Sequence, residues 1–94
     1  MAEKINMDEL NKVAGGNDGS GYYLTVGNCN GTYLALRTAA SYNAANEILQ
    51  LYPGNVVFTY GGTQGGPGVG GVWTTYYYVC YDGTWGWANG AFLY

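Results

Sequence analysis

Residues 73–94 read WTTYYYVCYDGTWGWANGAFLY, and the fold class follows from this stretch. From Trp73 to Tyr81 the chain is aromatic and β-branched, which is strand composition. Asp82-Gly83 then supplies the two left-handed positions that a type I′ hairpin turn requires. The chain returns through Trp85-Gly86-Trp87 to Phe92-Leu93. A two-residue turn also assigns faces: Trp85 and Trp87 fall on the side of Cys80, opposite Val79 and Tyr81.

Upstream of this hairpin the signals are again β. Tyr22-Tyr23-Leu24-Thr25-Val26 is a strand stopped by Gly27-Asn28-Cys29-Asn30-Gly31, and Tyr33-Leu34-Ala35-Leu36-Arg37 is a second. Asn55 to Tyr60 is a third, opened by the turn at Pro53-Gly54. Ala44, Ala45, Ile48, Leu49 and Tyr52 fall at helical spacing with Asn43 as a cap, so residues 44–52 read as a helix or as a strand around Ile48–Leu51. Between Tyr60 and Trp73 lies GGTQGGPGVGGV, whose seven glycines predict a mobile loop. No Lys-Ser/Thr follows, so this run is not a phosphate-binding loop. Five or six short strands in residues 22–94 predict a small all-β barrel, because closure removes exposed sheet edges. The expected core is Leu34, Leu36, Ile48, Leu51, Val57, Val79, Tyr81, Trp87 and Leu93.

Composition narrows the function. The chain has 94 residues, 17 of them Gly and 11 Tyr, with only 10% charged residues and no histidine. One small domain is all that this length supports. Without histidine, neither Cys29 nor Cys80 has an activating base, and Glu47 and Asp82 are the only plausible catalytic carboxylates. Two cysteines cannot close a zinc site from one chain. The expectation is a protein that is not an enzyme and holds no metal and no cofactor. A net charge of −3 with three Lys+Arg argues against nucleic acid, and no apolar run is long enough for stable membrane insertion.

Charge is concentrated at the N-terminus. Glu3, Lys4, Asp8, Glu9 and Lys12 fall within residues 1–16, whereas residues 17–94 hold only Asp18, Arg37, Glu47 and Asp82. Such a shift marks a segment boundary. The pattern predicts a helix with Asn6 as its cap and Glu9 reaching back, on which Met7, Leu10 and Val13 would form an apolar stripe with Ile5 ahead of it. Gly15-Gly16 end the helix. This stretch resembles the double-glycine leader of exported bacterial peptides at Ile5, Glu9, Leu10, Val13, Gly15 and Gly16. The resemblance implies docking on the peptidase domain of an ABC exporter, cleavage after Gly16, and a secreted product. Residues 17–21 are then a flexible linker to the barrel at 22–94. In a small exported chain an even cysteine count points to a Cys29–Cys80 disulfide, with two free thiols as the alternative.

From about Tyr22 to Leu93 the chain resembles a bacterial SH3-like domain. LALRTAAS at 34–41 stands where that family has a leucine–x–valine–arginine strand and a small-residue turn. EILQLYPGNVVF matches its glycine turn after an apolar strand, and YYYVCYDGTWGWANGAFL matches its valine strand, Gly-Trp and terminal leucine. The strongest pieces are Arg37, Gly54, Gly86-Trp87 and Leu93. The sequence departs from the family at Thr38-Ala39-Ala40, and at Tyr76, where the family has tryptophan and this chain has Trp73 displaced instead. The family buries its second tryptophan beside the valine, whereas the two-residue turn puts Trp87 on the opposite face. A bulge near Gly86 would reconcile the two.

The resemblance implies a small SH3-like barrel that binds a cell-wall fragment, a peptide or a protein partner. Sixteen aromatic residues exceed what a small core absorbs, and Tyr and Trp suit uncharged sugars and peptides. The candidate ligand-binding residues are Tyr42, Tyr60, Trp73, Tyr76, Tyr78 and Trp85, with Trp73 the leading anchor because it borders the glycine run. The competing expectation is a bacteriocin-like secreted peptide acting on membranes, since double-glycine leaders often precede such products. The acidic mature chain argues against attraction to anionic lipids.

Overall fold

The computed structural model describes residues 21–29 and 31–94. Residues 1–16, expected to be a leader, and most of the expected linker at 17–21 lie outside these residues. The described chain is an all-β sheet of six antiparallel strands curled into a half-barrel. In chain order they are β1 (Tyr22–Thr25), β2 (Leu34–Arg37), β3 (Glu47–Leu51), β4 (Val56–Pro67), β5 (Trp73–Tyr81) and β6 (Thr84–Asn89). The sheet order is β1-β4-β5-β6-β2-β3. β1 and β3 lie at opposite edges of that order, so among the described residues the sheet does not close into a ring. The C-terminal end covers part of the first edge: Thr25 and Tyr94 exchange both backbone hydrogen bonds at 2.9 Å, and Val26 bridges Leu93.

The β5–β6 hairpin runs in the register that its turn dictates. Asp82 and Gly83 have φ of 52° and 83°, and pairing is unbroken from Tyr81↔Thr84 to Tyr76↔Asn89. No bulge forms at Gly86. Trp87 therefore stays on the outer face opposite Tyr78, and its expected place in the core is corrected. At 44–52 the strand prevails. Asn43 does cap, its side chain accepting from the Ala45 amide, but only for one 3-10 turn at Ala44–Asn46 before β3 begins.

The glycine run departs most from expectation. Gly61 to Pro67 are strand rather than mobile loop, paired with β5 from Thr63↔Tyr77 to Pro67↔Trp73. Only Gly68 to Val72 turn the chain, around a 3-10 element at Val69–Gly71. A partner strand rich in tyrosine supplies the contacts that glycines lack. The absent side chains in turn allow backbone to approach. A Cβ at Gly66 would collide with the Ala40 carbonyl of a segment crossing above it.

The core consists of Val26, Cys29, Leu34, Leu36, Leu51, Val57, Val79, Ala88 and Leu93, with Tyr77 and Tyr81 packed against it. Ile48 is 41% exposed and is not part of it, because β3 is an edge strand on which Leu49 takes the inward-packed place. Of the two states left open for Cys29 and Cys80, this structure has the free thiols. Cys29 is in the core cluster, whereas Cys80 alternates with buried Val79 and so lies on the outer face. Burial raises both thiol pKa values above the ordinary 9.0.

Candidate functional site

The outer face of the sheet collects the aromatic side chains. Directly paired residues share a face, and one row runs Tyr23↔Phe58↔Cys80↔Trp85 across β1, β4, β5 and β6. The next row is Tyr78↔Trp87↔Arg37. Tyr60 joins them from an irregularity in β4. Between the pairs Thr59↔Val79 and Thr63↔Tyr77, three β4 residues (Tyr60, Gly61 and Gly62) oppose the single residue Tyr78. Thr59, fully buried, secures this bulge: its hydroxyl donates to the Tyr78 carbonyl at 2.8 Å and accepts from the Gly61 amide at 3.0 Å. Gly61 adopts φ of 94°, which a side chain would disfavour.

Six rings then touch in sequence. Tyr23 meets Phe58 edge-on at 5.1 Å, and Phe58 meets Tyr60 edge-on at 4.7 Å. Tyr60, Trp85 and Tyr78 form a stack, with centroids 5.8 and 5.3 Å apart and planes within 20°. Trp87 closes the series at 5.0 Å from Tyr78, tilted by 50°. Trp85 is therefore stacked on two neighbours. The tilt of Trp87 leaves a shallow depression of about 280 Å³ between Tyr78 and Trp87, lined on its other side by Gly62 and Thr63 of the bulge. Burial raises the pKa of Tyr60 above the ordinary 10.0.

Three of the six expected contact residues, Tyr60, Tyr78 and Trp85, come together here. Tyr76 does not belong to the surface. Alternation puts it on the face of Tyr78, but it is fully buried and donates to the Pro67 carbonyl at 2.8 Å. The segment after β2 covers it, with Ala40 above Gly66 and the Tyr42 amide bonded to the Pro67 carbonyl at 2.9 Å. Tyr42 is exposed on that cover, the Arg37 guanidinium 4.7 Å from its ring centre. Trp73 is 71% exposed at the hairpin tip, beside Val72 and over Gly65. It lies five residues from Tyr78 and on the opposite face by alternation, so it is not part of the series.

Sequence reasoning missed Tyr23, Phe58 and Trp87. The hairpin register already paired Trp87 with this face, and only the resemblance drew it inward. Tyr23 and Phe58 join through the β1–β4 pairing, for which no local signal exists. The face is also nearly uncharged. Among the described residues the charges are Arg37, Glu47 and Asp82, and Arg37 is 3.8 Å from Glu47. No described helix is long and apolar enough to cross a membrane. Comparison with known protein families, with curated proteins and with solved structures finds no match.

Proposed function

We propose that this chain is an exported, non-catalytic binding module of SH3-like type, which holds an uncharged cell-wall glycan or peptide against Tyr78 and Trp87. One observation carries this reading: six contiguous rings on a solvent-facing sheet surface, ending in a depression over a glycine bulge. An aromatic ladder of this kind also stabilises the sheet. The depression is what a purely structural ladder does not require. It offers the tilted ring of Trp87 and the backbone of Gly62 to a flat, uncharged group. Leader cleavage after Gly16 by an exporter peptidase fits the same reading, since it would release residues 17–94 outside the cell.

The test is binding to isolated cell wall and to soluble wall glycan and peptide fragments, measured on folded protein. Trp87→Ala should weaken binding by about 1–3 kcal/mol. Trp73→Ala should leave it unchanged, because Trp73 lies away from the series. Equal losses for the two variants, or no binding to wall at all, would refute this assignment. Between low and high salt the affinity should change little, because nearly all the contact surface is neutral.

A further inference from the structure

The segment that covers Tyr76 also helps to enclose a second site. A cleft of about 220 Å³ has Arg37, Tyr42, Tyr76 and Asn89 in its walls, with Val69, 59% exposed, at its rim. It is smaller than the roughly 300–1,000 Å³ of pockets that enclose a whole drug-sized ligand. One end of a chain fits such a space.

Arg37 gives the cleft its chemistry. Its side chain is buried, with the residue 5% exposed. Nη1 donates to the Asn43 carbonyl at 2.9 Å and to Asn46 Oδ1 at 3.0 Å, which uses both of its protons. The Glu47 carboxylate lies 3.8 Å from the same nitrogen. That distance balances charge without occupying a donor. Nε and Nη2 have no acceptor among the described residues. A buried guanidinium edge without an acceptor is costly, so the cleft favours an occupant that provides one. Nε and Nη2 together form the side-on fork that matches the two oxygens of a carboxylate.

We propose that this cleft binds the terminal carboxylate of a short peptide, with Nε and Nη2 of Arg37 as the fork and the Tyr42 and Tyr76 rings beside the last residue. Glu47 already offsets the arginine charge, which suits a monoanion better than a phosphate dianion. Arg37 pairs with Trp87, but the cleft shares no lining residue with the depression beside Tyr78, and either assignment stands if the other fails.

Full-length protein is titrated with N-acetyl-L-alanyl-L-alanine, with its C-terminal amide and with inorganic phosphate, following the Arg37 Nε–H resonance. The free acid should shift that resonance, and the amide should bind about tenfold more weakly or worse. Phosphate should bind more weakly than the acid. Rim variants carry the test without touching the core: Val69→Glu should weaken acid binding about two- to threefold, and Val69→Lys should tighten it similarly. Arg37→Lys keeps the charge and loses the fork, so where it folds it should bind as poorly as wild type binds the amide. Absence of acid binding, equal binding of acid and amide, an unmoved Arg37 resonance, or tighter binding of phosphate would each overturn the assignment.

Discussion

Tyr76 and Tyr78 leave the same face of β5, two residues apart, and end in different surroundings. Tyr76 is fully buried beneath Ala40 and Tyr42, its hydroxyl on the Pro67 carbonyl. Tyr78 is half-buried, stacked on Trp85 and bordering the open depression. The strand they share and its hydrophobic pattern do not distinguish them. What differs is the partner segment: Gly66 lets a distant loop close over one ring, whereas the bulge at 60–62 lies opposite the other. One aromatic face is thus divided into a covered end and an open end by the backbone of β4.

The contrast is breakable by substitution. Tyr76→Ala should cost about 4 kcal/mol in urea unfolding, the range for removing a fully buried aromatic side chain. Tyr78→Ala should cost about 1 kcal/mol, the scale of exposed ring pairs. Similar losses at the two positions would remove the distinction. Gly66→Ala places a methyl against the Ala40 backbone and should destabilise by about 2 kcal/mol, since the cover must shift. Circular dichroism in the aromatic region, compared before and after, would report whether the ladder survives that shift. Tyr76→Phe keeps the ring and removes one of the two hydrogen bonds that the Pro67 carbonyl accepts, leaving the one from the Tyr42 amide, for a loss of about 1 kcal/mol.

The smallest effect is expected in alkali. Burial raises the pKa of both Tyr60 and Tyr76 above the ordinary 10.0, so the folded chain holds these protons where the unfolded chain has begun to release them. The unfolded state then binds fewer protons, and stability falls with rising pH. The contribution is complete below pH 10.0 and is lost progressively as pH climbs to the folded values. Tyr76→Phe should show a shallower alkaline decline than the wild type in unfolding midpoints measured from pH 8 upward. An identical slope would place the titrating group elsewhere.

The resemblance and the local chemistry disagreed over Trp87, and the local chemistry prevailed. A two-residue turn at Asp82-Gly83 leaves no freedom in register over the next six residues, so Trp85 and Trp87 had to share the side of Cys80 and Tyr78. The same alternation separates Cys80 from Cys29 once Val79 is buried. The glycine run misled for a different reason. Entropy and missing side chains weaken a strand, but a partner strand with large side chains can offset that cost. Here Trp73, Thr74, Thr75, Tyr76 and Tyr77 pair along it and hold it in the sheet.

Sequence by itself determined the all-β class, the limits of β5, the type I′ turn and the faces of the final hairpin, because strand propensity, turn chemistry and alternation act within a few residues. It also determined a nearly uncharged surface, since so few ionisable groups exist to place. The tertiary structure alone decided that β1 lies beside β4, that Gly61 to Pro67 form a strand, that Tyr76 is covered, and that Tyr23 and Phe58 extend the series begun by Tyr60, Trp85 and Tyr78. Each of these depends on which distant segment packs against which, and burial at long range leaves no periodicity in the strand that receives it.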